Sequence, residues 1–148
     1  MEGVVIDTNV FVAAGFNPRS ASARILAKVR EGGLLLIWNK PTRRETEMIL
    51  RQIPRLNWER VADLFRLEGE FTGPVDPEAF GLIADPDDRK FAALSAATKR
   101  PLVTSDSDIL TQRSALGIEV FTPGEFSARD GKEGLDDDGS ANSPRTKK

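Results

Sequence analysis

The sequence predicts an α/β protein in which a parallel sheet carries helices on both faces. Short, continuous apolar runs at residues 4–6, 34–38 and 101–103 read as strands buried on both sides. Stretches with helical spacing of apolar residues separate them. Alternation of this kind implies right-handed βαβ crossovers, and in such sheets functional groups collect beyond the carboxyl ends of the strands.

The elements follow in order. "GVVID" at residues 3–7 is the first buried strand. "SASARILAKVREGG" is a helix that Ser20 or Ser22 can cap, with Ile25, Leu26 and Val29 as its stripe and Gly32–Gly33 as its end. "LLLIW" is the second strand, and "PTRRETEMILRQI" a helix with Pro41 in its first turn. "NWERVADLFRLEGEF", residues 57–71, reads as a further helix capped by Asn57. "PEAFGLIADPDD" is turn-rich, and a small-residue helix starts near Asp88. "PLVTSD" is the third strand, "SDILTQRSALG" a short helix, "IEVF" the last strand and "TPGEF" the start of a closing helical turn. Residues 127–148 are polar and glycine-rich and are expected to form a disordered tail, leaving one domain over residues 1–126.

Composition removes several chemistries. The 148 residues contain no Cys, no His and no Tyr, so disulfides, thiolate or imidazole metal sites and imidazole acid–base catalysis are excluded. An enzyme built from this chain works with Asp, Glu, Ser, Thr, Lys, Arg, Asn or Gln, and its carboxylates favour hard cations. A net charge of −2 shows no fold-wide basic field. No apolar stretch approaches the roughly 20 residues of a membrane span, and no basic-then-apolar leader is visible. A cytoplasmic location is the expectation.

Four acidic positions stand out. Asp7 and Asp106 each follow a strand, Glu45 lies within the helix after the second strand, and Asp88 begins a helix; Asp108 follows two residues after Asp106. Each has a plain reading. Asp7 and Asp106 can cap turns or helices, Glu45 and Glu47 can be charges on a wet helix face, and residues 85–88 can be a turn with an N-cap. In combination they point further. Carboxylates at the ends of neighbouring strands would repel, and a divalent cation would remove that cost.

"VVIDTNVFVAA", "RETEMIL", "DPDDRKFAALSAA" and "LVTSDSDIL", in that order, resemble PIN-domain nucleases, and in particular bacterial and archaeal PIN proteins of toxin–antitoxin systems. The resemblance spans about Gly3 to Phe126. It implies a three-layer α/β/α sandwich with a central parallel sheet and Mg2+- or Mn2+-dependent cleavage of RNA. Asp7, Glu45, Asp88 and Asp106 match the family's acidic set, with Asp7, Asp88, Asp106 and Asp108 as the metal residues, Asp108 being the additional acid that supports the ion. Asn9 and Thr104 match the polar residues flanking the first and last aspartates. Glu45 is matched over Glu47 by its place before "MIL", and Asp88 over Asp87 by its spacing to Phe91. The family's serine before the glutamate helix is absent, and Thr42 is expected to cap in its stead.

A carboxylate-held cation suits phosphodiester hydrolysis where imidazole is unavailable. Asn9 and Thr104 would steady the ligands, and Glu45 would position a second ion or the nucleophile. Arg43 and Arg44 are candidate substrate contacts, with Lys40, Arg89 and Lys90 behind them. Trp38 can stack on a base or belong to the core. Expected partners are an RNA substrate, an antitoxin protein and a second copy of the chain. The alternative is a catalytically silent scaffold binding RNA or protein. An aspartate-nucleophile phosphatase ranks lower, because the second aspartate it would carry is here Asn9.

Overall fold

The structure is a computed structural model and describes residues 1–136. Its sheet has four short parallel strands, β1 (Gly3–Ile6), β2 (Leu35–Ile37), β3 (Leu102–Val103) and β4 (Val120–Phe121), in the order β2-β1-β3-β4. β1 pairs with β2 through Val4↔Leu36 and with β3 through Ile6↔Val103. Chain order therefore reverses between β1 and β3, which opens the crevice where α/β folds bind ligands.

The helices are α1 (Thr8–Phe16), α2 (Ala21–Arg30), α3 (Lys40–Gln52), α4 (Arg89–Thr98), α5 (Ser107–Leu110) and α6 (Pro123–Asp136). Alternation along the strands feeds two cores. Val4, Ile6, Leu36 and Val103 pack with residues of α1, α2, α3 and α6, including Phe11, Leu26, Leu50 and Phe126. Val5 and Leu102 face the other way, onto Phe91, Leu94 and Ile109 of α4 and α5 and onto Phe80 and Ile83. The result is a three-layer α/β/α sandwich with a central parallel sheet. Five consecutive residues of α4, Phe91 to Ser95, are buried, which accounts for its small side chains: it is enclosed by the sheet and the loop carrying Phe80 and Ile83.

Three local expectations change. α1 is a helix that periodicity does not reveal, because it is apolar around most of its circumference; the Asp7 cap starts it. Asn39, not Thr42, is the N-cap of α3, and Thr42 completes a reciprocal capping box by accepting from the Asn39 N–H. Residues 57–71 do not form one helix. They break into short 3-10 turns at Trp58–Arg60, Ala62–Leu64 and Leu67–Gly69. Tertiary contacts override the helical pattern here. Phe65 packs within 5.2–5.9 Å of the rings of Phe11, Trp38 and Trp58. The chain then runs along β2, where Trp38 N–H donates to Gly69 and Phe71 N–H donates to Trp38.

α6 runs through the boundary expected at residue 126. Phe126 is buried against Phe121, and Arg129 lies over both rings and pairs with Glu2. The remainder of the expected tail, from residue 137 on, lies outside the described residues. Among the described residues, no helix is long and apolar enough to cross a membrane.

Gly69 makes the close pass beneath β2. A Cβ there would overlap the Leu36 carbonyl oxygen, whereas one at Gly81 meets open space. Gly69→Ala should cost about 1–3 kcal/mol, and Gly81→Ala should stay within about 0.5 kcal/mol of wild type, both read by urea unfolding.

Candidate active site

The site is assembled where β1 and β3 end side by side. Asp7 follows β1, and its N–H donates to the Val103 carbonyl at 3.0 Å. Its side chain is 3% exposed. Oδ1 accepts from the Thr8 N–H at 2.7 Å, which caps α1. Oδ2 accepts from the Thr104 hydroxyl at 2.7 Å and from the Asn9 amide at 3.4 Å. Capping and a place in the acidic site are therefore compatible roles for one carboxylate.

Thr104 connects two acids. While its hydroxyl donates to Asp7, it accepts from the Asp106 N–H at 3.0 Å. Asp106 in turn caps α5, accepting from the Asp108 N–H at 2.9 Å. Asn9 bridges the same two loops, since its Oδ1 accepts from Ser105 N–H at 3.2 Å. The polar residues beside the first and last aspartates thus lock the β1 and β3 ends together.

Asp88 sits at the start of α4 but its side chain makes no capping bond; Asp85 caps the preceding turn instead. Asp88 is half-buried while Asp85 and Asp87 are exposed. Its carboxyl is held well above the ordinary range. Burial is the main cause, followed by hydrogen bonding to Asp106 and repulsion from Asp7, Asp106 and Asp85. Asp7 is pushed up to about 6, again first by burial; Thr104 and Thr8 pull against this, and the charges of Asp106 and Glu45 add to it. Asp7 thus feels Asp106 and Glu45, and Asp88 feels Asp7 and Asp106, which puts the four acids in one electrostatic neighbourhood.

Glu45 reaches it from α3. Its Oε1 accepts from Lys90 Nζ of α4 at 2.9 Å. Next to it, Thr46 is buried and shares a 2.8 Å hydroxyl bond with Thr8, which ties α3 to the residue after Asp7. Glu47 is turned elsewhere and pairs with Arg43 and Arg51 on its own helix. Asp108 is exposed, and it is its backbone N–H that reaches Asp106.

The candidate substrate contacts divide. Arg43 is committed to Glu47 and lies over the Trp58 and Phe65 rings at 5.1 and 6.0 Å. Arg89 donates to the Ile83 carbonyl at 2.8 Å. Arg44 is exposed and lines a groove of about 540 Å3 with Lys40, Arg43, Trp38 and Phe65. Trp38 is buried, with its indole N–H donating to Arg66 O at 2.7 Å, and so belongs to the core.

The donor chemistry fits a hard divalent cation. Asp7, Asp88 and Asp106 supply carboxylate oxygens, and the charge of Asp106 raises the proton affinity of both Asp7 and Asp88. As the side chains stand, no three acids among the described residues are grouped as a cage. A cation would have to draw them inward.

The PIN domain family matches residues 3–108. The chain belongs to the PIN domain family. It is also similar to an uncharacterized protein of Methanocaldococcus jannaschii, at 27% identity over 83% of this chain and 88% of that protein. Among solved structures, FitAcB from Neisseria gonorrhoeae aligns with a TM-score of 0.48 and 19% identity, over 81% of this chain and 97% of that one. Within this PIN domain, Lys90, a candidate phosphate contact by sequence, is instead paired with Glu45. Its spacing from Asp88 is visible, but its partner is 45 positions away on another helix.

The raised Asp7 carboxyl has a consequence for stability. The folded protein binds that proton more tightly than the unfolded chain, whose value is 3.8. The cost of ionising Asp7 therefore builds up between pH 3.8 and about 6, to roughly 3 kcal/mol above that. In EDTA, lowering the pH from 8 to 5 should raise the melting temperature. Asp7→Asn, which keeps a capping side chain, should melt higher than wild type at pH 8 and lose part of that pH dependence, the remainder belonging to the raised Asp88 carboxyl.

Proposed function

We propose that this PIN domain is a metal-dependent endoribonuclease that hydrolyses RNA phosphodiester bonds. The observation that carries the reading is the set of three aspartates, Asp7 and Asp106 after β1 and β3 and Asp88 at the start of α4, within electrostatic reach of one another and with no Lys or Arg ion-paired to any of them among the described residues. PIN domains are generally nucleases, and the motif resemblance supports RNA as the substrate.

Asp7, Asp88 and Asp106 would hold Mg2+ or Mn2+. Such an ion supplies Lewis acidity toward the phosphate and a nucleophile at neutral pH. The protein's own part is positional. Thr104 and Asn9 fix the Asp7 carboxylate, and Thr104 also fixes the Asp106 backbone. Glu45 orients the attacking group from the α3 side. Arg44, exposed beside its groove, would contact substrate phosphate. The Lys90 ammonium is occupied by Glu45. A toxin role, with an antitoxin protein as partner, and a homodimeric state rest on the motif resemblance.

Asp7→Asn and Asp106→Asn should each lower RNA cleavage more than about 100-fold while circular dichroism stays native. EDTA should abolish cleavage and Mg2+ or Mn2+ restore it. Cleavage that survives EDTA or Asp7→Asn would overturn the reading. Cation binding with no hydrolysis of any RNA would make the protein a binding scaffold instead. Arg44→Ala should raise KM severalfold with little change in kcat, measured at two salt concentrations.

A further inference from the structure

We propose that Lys90 is the positioning residue of the acidic site: it acts as a built-in counter-ion to Glu45, stands in for a second cation, and limits the site to one divalent ion. This rests on the nuclease reading above and deepens it.

Among the ion pairs that α3 makes within the described residues, Lys90–Glu45 is the one in which both side chains are shielded; the Lys40–Glu70 and Arg51–Glu59 pairs, which also leave the helix, each have an exposed cation. The Lys90–Glu45 pair joins two helices whose residues are 45 apart in sequence, at 2.9 Å, with side chains only 22% and 18% exposed. The Glu47 pairs with Arg43 and Arg51 lie four residues apart on one helix, an arrangement worth only a few tenths of a kcal/mol. Arg89, the neighbouring cation, does not share the task, because its Nε donates to the Ile83 carbonyl. Lys90 is thus the one described cation that is ion-paired to an acid of this group.

Charge balance then separates the acids. Four carboxylates (Asp7, Glu45, Asp88, Asp106) and one ammonium (Lys90) sum to −3 when all are ionised. One divalent cation brings this to −1, whereas two would bring it to +1. Without Lys90 the set carries −4, which two divalent ions neutralise. With its charge met by Lys90, Glu45 is an orienting acid and the three aspartates bind the ion. A like-charged ammonium close to a second ion would repel it.

The test counts bound Mn2+ by electron paramagnetic resonance on the full-length, RNA-free protein. Wild type and Lys90→Arg should bind one ion per chain with affinities within about twofold of each other. Lys90→Met should bind a second ion, or hold the first roughly tenfold more tightly. The Glu45→Gln/Lys90→Met double variant should return to wild-type stoichiometry, since Lys90 acts through Glu45. In RNA cleavage, Lys90→Met should lower kcat at unchanged KM, and Lys90→Arg should restore it. Unchanged Mn2+ binding in Lys90→Met, with only KM raised, would make Lys90 a phosphate contact and overturn the proposal while leaving the nuclease reading intact. An altered Mn2+ count that persists in the double variant would overturn it as well. A wild-type protein that binds no Mn2+ would overturn both.

Discussion

A carboxylate buried as deeply as Asp7 needs donors or a cation, and the way this protein meets that need organises the rest of the structure. Its two oxygens accept from Thr8, Thr104 and Asn9. Bonds to a charged acceptor are each worth about 1.5–3 kcal/mol, yet burial still outweighs them, since Asp7 remains raised to about 6. Thr104 can serve Asp7 only if β3 lies beside β1, so the donor set and the sheet order require each other. The same hydroxyl accepts from Asp106 N–H, which brings a second acid to the first. The fold sustains this unfavourable charge because two apolar cores flank the sheet.

The helices supply the other groups through their starting points. The Asn39–Thr42 box sets where α3 begins, and the Thr46–Thr8 hydroxyl bond docks that helix on the start of α1. With origin and docking both set, Glu45 faces the aspartates and Glu47 faces Arg43 and Arg51. α4 starts at Arg89, after the turn that Asp85 caps, which leaves the Asp88 carboxyl free of capping. Lys90, one residue into α4, then meets Glu45 across the gap between the helices.

Much of the architecture is legible in local signals. The buried strands show as unbroken apolar runs, α2 as a capped amphipathic stripe, and α4 as small residues beneath a charged start. Where local signals fail, the cause is tertiary. Residues 57–71 carry a helical pattern, but Phe65 is drawn into a ring cluster and Gly69 must pass under β2. α1 escapes notice because a helix apolar on most sides has no stripe to detect.

By itself the sequence determined the chemical inventory and the places where strands end. With no His, Cys or Tyr, the acids are the principal metal donors, and Asp7 and Asp106 stand at two strand termini. These are short-range properties, set by residue type and by neighbours a few positions away. Only the tertiary structure decided that β1 and β3 are adjacent, that Glu45 and not Glu47 faces the aspartates, that Arg43 is held by aromatic rings while Arg44 lies open, and that Lys90 meets Glu45. Those outcomes depend on sheet order and on the docking of separate helices, which bring together groups that no spacing along the chain relates.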